Sequence, residues 1–191
     1  NTTGRIISFV GGRNHSLSQV NHATDTTRQN GSTMKPLLVY APAFEMGTLQ
    51  PASIIPDVKL VLTDGAGKPY EPQNYSQGYN GLTTARYALA KSFNIPAVKG
   101  YVDILQYRPA DYLKKMGFTS LTEGDYYNMA MALGGMTYGV TVEENVNAYA
   151  TFANGGKFID AYLIEKIENK DGKTIYKHES KPVDVFSKQT A

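Results

Sequence analysis

Gly31-Ser-Thr-Met-Lys-Pro36 opens a mostly apolar stretch, residues 32–46, with Gly31 and Gly47 at its two ends. The pattern predicts a buried helix. Pro36 falls in the first turns, where proline is tolerated. Pro42 lies deeper, and in an unbroken helix it would cost about 3 kcal/mol. A bend or an early end is therefore expected near Tyr40. Ser32 and Lys35 stand three apart at the helix start, on one face and one turn apart. The lysine amine can then reach the serine oxygen. A serine hydroxyl is a weak nucleophile until a base takes its proton. A lysine can be that base only when neutral, and burial in an apolar site lowers its pKa toward that state. The unpaired N–H groups of a helix start favour negative charge developing at the serine or at the attacked carbonyl oxygen. On its own, S-x-x-K arises about once by chance in a chain of this size. The plain reading of a bare match is a capping Ser with a solvated Lys. The preceding Gly, the following Pro and the apolar continuation favour chemistry.

A second element, Ser92-Phe-Asn94, follows a predicted short helix over residues 83–91 with a Thr cap. A Ser hydroxyl can pass a proton, and an Asn amide can both donate to and accept from a peptide group. Read alone, S-x-N is an ordinary helix end. Met131-Ala-Leu-Gly-Gly135 reads as a packed turn rather than a catalytic element. Residues 97–117 predict helix, interrupted near Arg108-Pro109, with Gly117 as the stop. Thr141-Val-Glu-Glu144 is a capping box. After it, Val142, Val146, Tyr149, Ala150 and Ala153 line one face at helical spacing, and Asn154-Gly-Gly156 ends that helix. Arg5-Ile-Ile-Ser-Phe-Val10 reads as a strand after an opening turn over residues 1–4. Residues 48–81 read as a long surface excursion. Residues 161–168 and 173–178 read as a hairpin, and the polar tail after Ser180 reads as loose.

Composition narrows the chemistry. The 191 residues fit one ordinary domain or a large piece of one. Hydrophobic residues at 41% and charged residues at 19% fit a packed core rather than disorder. The formal charge is +2 and the basic residues are scattered, which disfavours a nucleic-acid groove. No apolar run approaches the roughly 18 residues that span a bilayer. The absence of Cys excludes disulfides, Cys zinc sites and thiol catalysis, and is compatible with an extracytoplasmic home. His15, His22 and His178 form no H-E-x-x-H pair, and no metal or organic cofactor is expected. There is no G-x-S-x-G elbow and no glycine-rich phosphate loop.

Taken in order along nearly the whole chain, these motifs resemble the transpeptidase domain of penicillin-binding proteins. The resemblance rests on residues 5–13, on Gln19-Val-Asn-His-Ala-Thr24, and on Arg28-Gln-Asn-Gly-Ser-Thr-Met-Lys-Pro36. It continues through Leu89-Ala-Lys-Ser-Phe-Asn-Ile-Pro-Ala-Val98, Ala148-Tyr-Ala-Thr-Phe-Ala-Asn-Gly-Gly156 and the hairpin of residues 163–172. S-x-x-K is a signature of that family. The Arg-Gln before Gly-Ser-Thr and the Ala-Asn-Gly-Gly turn look more like bifunctional class A members. The resemblance implies an α+β fold, here mainly its helical part with a few strands. It implies that Ser32 is the acylated nucleophile, Lys35 its base, Ser92 a proton relay and Asn94 a ligand for the substrate carbonyl. The Ser32 N–H would be half of an oxyanion hole. The implied activity is D,D-transpeptidation: attack on the D-Ala–D-Ala bond of a peptidoglycan stem peptide, then transfer to an amine. β-Lactams would acylate the same serine. The alternatives are a carboxypeptidase or β-lactamase-like hydrolase, and a non-catalytic β-lactam sensor.

Asn30 stands where the family usually has Pro, Met34 where it often has an aromatic, and Pro42 is unusual. The family's third motif, Lys-Ser/Thr-Gly on an inner strand, is absent. Lys173-Thr-Ile175 lacks the glycine and lies too early. The resemblance thus implies that residues 1–191 are a partial transpeptidase domain. The preceding strand, the later sheet strands, a membrane anchor and any glycosyltransferase domain would lie elsewhere. The implied location is the outer face of a bacterial cytoplasmic membrane. The piece alone is expected to be inactive, because it lacks the carboxylate-binding lysine and the second oxyanion donor.

Overall fold

Residues 31–45 form one helical run whose hydrogen-bond spacing changes twice. In the computed structural model, which describes residues 3–65 and 67–191, Gly31–Thr33 is a 3₁₀ turn and Lys35–Tyr40 is π-helical. Ala41–Glu45 (α1) continues as α-helix. Pro42 is the second residue of α1 and has no N–H to give. The wide turn comes just ahead of it, with the Ala41 N–H bonded back to the Pro36 carbonyl. The expected break near Tyr40 is therefore a change of spacing, and the run continues. Such wide turns are frequent at functional sites. The run is the centre of the core: Met34, Leu37, Leu38, Val39 and Tyr40 are buried.

The excursion of residues 48–81 is more ordered than a surface loop. Ile54–Asp57 (β1) begins it, Leu62–Thr63 (β2) pairs with Pro69–Tyr70 (β3), and Gly81–Thr84 (β4) returns antiparallel to β1. Asp57 and Asn74 are buried within it. Ala85–Ala90 (α2) follows, capped by the Thr84 hydroxyl accepting from the Tyr87 N–H. Asn94–Ile104 (α3) starts three residues before the predicted helix and holds Pro96 in its first turn. Arg108 adopts φ 54°, and Ala110–Lys115 (α4) starts after Pro109. The Thr141 capping box opens Val142–Ala153 (α5) as expected. Lys157–Phe158 (β5) pairs with Val183–Asp184 (β8), and Lys166–Glu168 (β6) with Thr174–Lys177 (β7).

Three expectations are corrected. Residues 5–10 form no strand. Among the described residues their ladder is a single parallel bridge between Arg5 and Tyr162. One bridge cannot hold a strand in register, and Ile7 and Val10 are exposed. The predicted apolar face of α5 is only partly covered: Val142, Val146 and Ala153 are exposed and Tyr149 and Ala150 half-buried, while Ala148 and Thr151 are buried. The tail is anchored rather than loose. Val185 and Phe186 are buried, Phe186 stacks on Tyr112 and Phe152, and the Ser187 N–H donates to Glu45. The opening turn expected over residues 1–4 lies partly outside the described residues. Among the described residues, no helix is long and apolar enough to cross a membrane.

Candidate active site

Lys35 is a buried amine in the middle of the core, at 0% exposure. Its Nζ donates to the Ser92 carbonyl at 2.6 Å, to the Ser92 hydroxyl at 3.0 Å and to Asn94 Oδ1 at 2.7 Å. Three acceptors match the three donors of an ammonium group. No ion pair to Lys35 occurs among the described residues. Burial pushes its pKa down from 10.5 to about 8. Desolvation disfavours the charged form, and no carboxylate compensates. Near neutrality the amine thus holds a readily lost proton.

The backbone around Ser92 aims these acceptors. At the end of α2 the Ser92 N–H donates to the Leu89 carbonyl, and the Phe93 N–H to the Ala88 carbonyl, each at 2.9 Å. This is a Schellman closure, whose left-handed position usually carries glycine. Here it carries Ser92, at φ 56°. A serine in that conformation is strained by about 1 kcal/mol, and it gives the lysine both a hydroxyl and a carbonyl. Ser92→Gly and Ser92→Ala both delete the hydroxyl, but only glycine relieves the backbone. The glycine variant is expected to be more stable than the alanine variant by about 1 kcal/mol, or roughly 2–4 °C in Tm. Equal melting temperatures would show that the turn holds no strain.

Ser32 sits exposed at the head of the helical run. Its hydroxyl makes no hydrogen bond among the described residues, and the bonds of Lys35 all run to Ser92 and Asn94. The structure therefore joins three of the four predicted residues directly and leaves Ser32 one turn away with its hydroxyl free. The turn that carries Ser32 is held from α5 and the glycine loop. Asn30 Nδ2 donates to Asn145 Oδ1 at 2.8 Å, and the Tyr149 hydroxyl donates to the Thr33 carbonyl at 2.8 Å. Gly134, at φ 83°, packs so closely that a Cβ there would lie 2.3 Å from the Gly31 N. Sequence reasoning treated Met131–Gly135 as a plain packed turn, yet it buttresses the serine. The Gly-Gly pair was the available signal. Asn145 and Tyr149 carried none beyond the helical pattern.

Beneath Asn94 lies a further polar layer. Asn74 Oδ1 accepts from the Asn94 N–H at 2.8 Å and from the Ile95 N–H at 3.3 Å. It caps α3 from another segment, since Phe93 provides no side-chain cap. The Asn94 side chain is fixed at both ends, because its Nδ2 donates to the Gln73 carbonyl at 2.8 Å.

Comparison with known proteins identifies the family of the chain. Residues 1–191 match the family described as the penicillin binding protein transpeptidase domain. The chain is 35% identical to penicillin-binding protein 4 of Bacillus subtilis, over 98% of this chain and 29% of that protein. It is 36% identical to penicillin-binding protein 1F of the same organism, over 100% of this chain and 25% of that protein. The crystal structure of penicillin-binding protein 1A from Haemophilus influenzae superposes with a TM-score of 0.78 at 32% identity, covering 91% of this chain and 25% of that one. A buried amine bonded to a serine and an asparagine, one turn behind an exposed serine, has the chemistry to support acyl transfer to a serine. The chain belongs to the penicillin-binding protein transpeptidase family. It spans about a quarter of the length of the relatives it matches.

Proposed function

We propose that this chain carries the acylating half of a peptidoglycan D,D-transpeptidase site. The observation that supports it best is the Lys35 amine, buried and bonded to Ser92 and Asn94 one turn behind Ser32. Neutral Lys35 takes the proton as Ser32 Oγ attacks the carbonyl carbon of the penultimate D-Ala. For this, Lys35 must loosen its bond to Ser92 and turn toward Ser32. The Ser32 N–H donates to the developing oxyanion. Asn94 receives the stem-peptide carbonyl through its amide. The tetrahedral adduct collapses, the C–N bond breaks, and Ser92 passes the proton from Lys35 to the departing D-Ala amine. An ester on Ser32 remains. An acceptor amine then attacks it, gives up a proton through the same pair, and Ser32 Oγ leaves reprotonated. β-Lactams open onto Ser32 by the same first step.

The carboxylate-binding lysine and the second oxyanion donor come from chain outside residues 1–191, which form part of a transpeptidase domain. The domain works at the outer face of the bacterial cytoplasmic membrane, tethered by a segment outside these residues. The partners are stem peptides ending in D-Ala–D-Ala and β-lactams, and no cofactor takes part.

The full-length parent protein, given a stem peptide ending in D-Ala–D-Ala and an excess of acceptor amine, is expected to release D-Ala and form the cross-linked amide. Free acid as the main product at saturating amine would favour a carboxypeptidase. A stable adduct that never turns over would favour a sensor. The isolated 191 residues are expected to label little with fluorescent penicillin.

A further inference from the structure

Asp57 is a fully buried carboxylate in the excursion, at 0% exposure. Its Oδ1 accepts from Asn74 Nδ2 at 2.8 Å. Its Oδ2 accepts from Asn74 Nδ2 at 2.9 Å, from the Asn80 N–H at 3.0 Å and from Asn80 Nδ2 at 2.6 Å. A carboxylate can only accept, so the Asn74 amide has one orientation. Its nitrogen faces Asp57 and the Gly78 carbonyl, and its oxygen must face the first N–H groups of α3. Those N–H groups belong to Asn94 and Ile95. The Asn94 side chain in turn leads to Lys35. Hydrogen bonds therefore tie Asp57 through Asn74 to the Asn94 backbone, and the Asn94 side chain carries that placement to the amine.

The burial of Asp57 calls for a reason. Taking a carboxylate out of water is costly, and replacing buried charges by apolar groups is often neutral or stabilising. Capping α3 alone would need only an oxygen acceptor. The carboxylate adds a fixed orientation of the Asn74 amide, and with it a fixed position for Asn94. Resting on the acyl-transfer reading above, we infer that Asp57 and Asn74 are positioning residues for that reaction. They hold Asn94, and through it the Lys35 amine, in line for proton transfer.

The test uses the full-length protein and fluorescent penicillin. It measures the acylation rate constant at saturation, the half-saturating concentration, the end-point fraction labelled and the Tm. Asn74→Ala is expected to lower the saturating rate roughly 10–100-fold, the cost of slightly misplacing reacting groups. End-point labelling should stay complete and the half-saturating concentration nearly unchanged. The double variant Asp57→Asn/Asn74→Asp exchanges donor and acceptor and keeps an oxygen under α3, at the cost of the bond that Asn74 Nδ2 gives to the Gly78 carbonyl. It is expected to restore the rate to within about tenfold of the wild type. A normal saturating rate per labelled site in Asn74→Ala, with only a lower Tm or end point, would overturn the inference. So would a folded double variant that stays more than tenfold slow. If Asn74→Ala fails to fold, the double variant decides alone. Absence of labelling in the wild type would overturn the acyl-transfer reading first, and this inference with it.

Discussion

Alanine at Ser32 is expected to abolish covalent labelling of the full-length protein by penicillin, and alanine at Lys35 to slow it by about 10²–10⁴-fold. The two losses differ because a missing nucleophile leaves no bond to form, whereas a missing base leaves water as a poor substitute. Lys35→Arg separates base from charge. Arginine keeps the positive charge and the donors to Ser92 and Asn94, but it does not lose a proton in proteins. It is expected to be as slow as the alanine variant. Near-normal labelling by Lys35→Arg would show that the lysine acts by charge alone.

The same lysine sets a pH dependence whose sign can be checked twice. The base must be neutral, so acylation should rise with pH and level off above about 8, where burial places its pKa. Lys35→Ala should lose that limb. Stability follows from the same shift. The unfolded chain holds this proton up to the ordinary value of 10.5, the folded chain only to about 8. Between those values the unfolded state binds more protons, so stability grows as pH rises and is constant with respect to this group outside the window. The full gain is roughly 3 kcal/mol. A Lys35→Met variant should lack that slope relative to the wild type in urea unfolding across pH 8–10.5. Parallel curves would mean that the amine is not desolvated in the folded protein.

How much of this was legible in the sequence depends on the range of each interaction. The Thr141–Glu144 box closes within one turn, and its residues declare it. The spacing of Ser32 and Lys35 is equally local. The turn at Ser92 was not legible, because the sequence lacks the glycine that usually marks a left-handed closure. The strain exists for the hydroxyl. Asp57, Asn74 and Asn94 meet across 17 and 20 residues of chain. No period connects them, so the excursion looked like surface. On α5 the periodicity found a real apolar stripe in Val142 and Val146. Periodicity reports which side chains share a face, and it cannot report whether anything covers them. Residues 5–10 fail for a related reason: β-branched and aromatic composition makes a strand only when a neighbour supplies a ladder.

Gly134→Ala is expected to cut acylation by about 100-fold or more and to destabilise the chain by several kcal/mol, whereas Gly31→Ala should cost only about 1–2 kcal/mol and retain labelling. The two glycines face each other and both have positive φ, at 83° and 55°. They differ in space. A Cβ on Gly31 meets nothing within 4 Å, so alanine there carries only the conformational cost. A Cβ on Gly134 would lie 2.3 Å from the Gly31 N, 2.5 Å from its carbonyl oxygen and 2.7 Å from its Cα. All three are backbone atoms, so no side chain can swing away. Either the Met131–Gly135 loop retreats or the turn bearing Ser32 moves outward. The first strips the serine turn of its support and the second displaces the hydroxyl outright, in either case relative to Lys35, which is anchored separately by Ser92 and Asn94. The nucleophile would shift while its base stays fixed, and a displacement near 1 Å costs on the order of 100-fold. Stopped-flow penicillin acylation with parallel thermal melts of the full-length protein checks the pair. Equal losses in the two variants would show that shared backbone strain, not the close approach of Gly134 to Gly31, governs the serine turn.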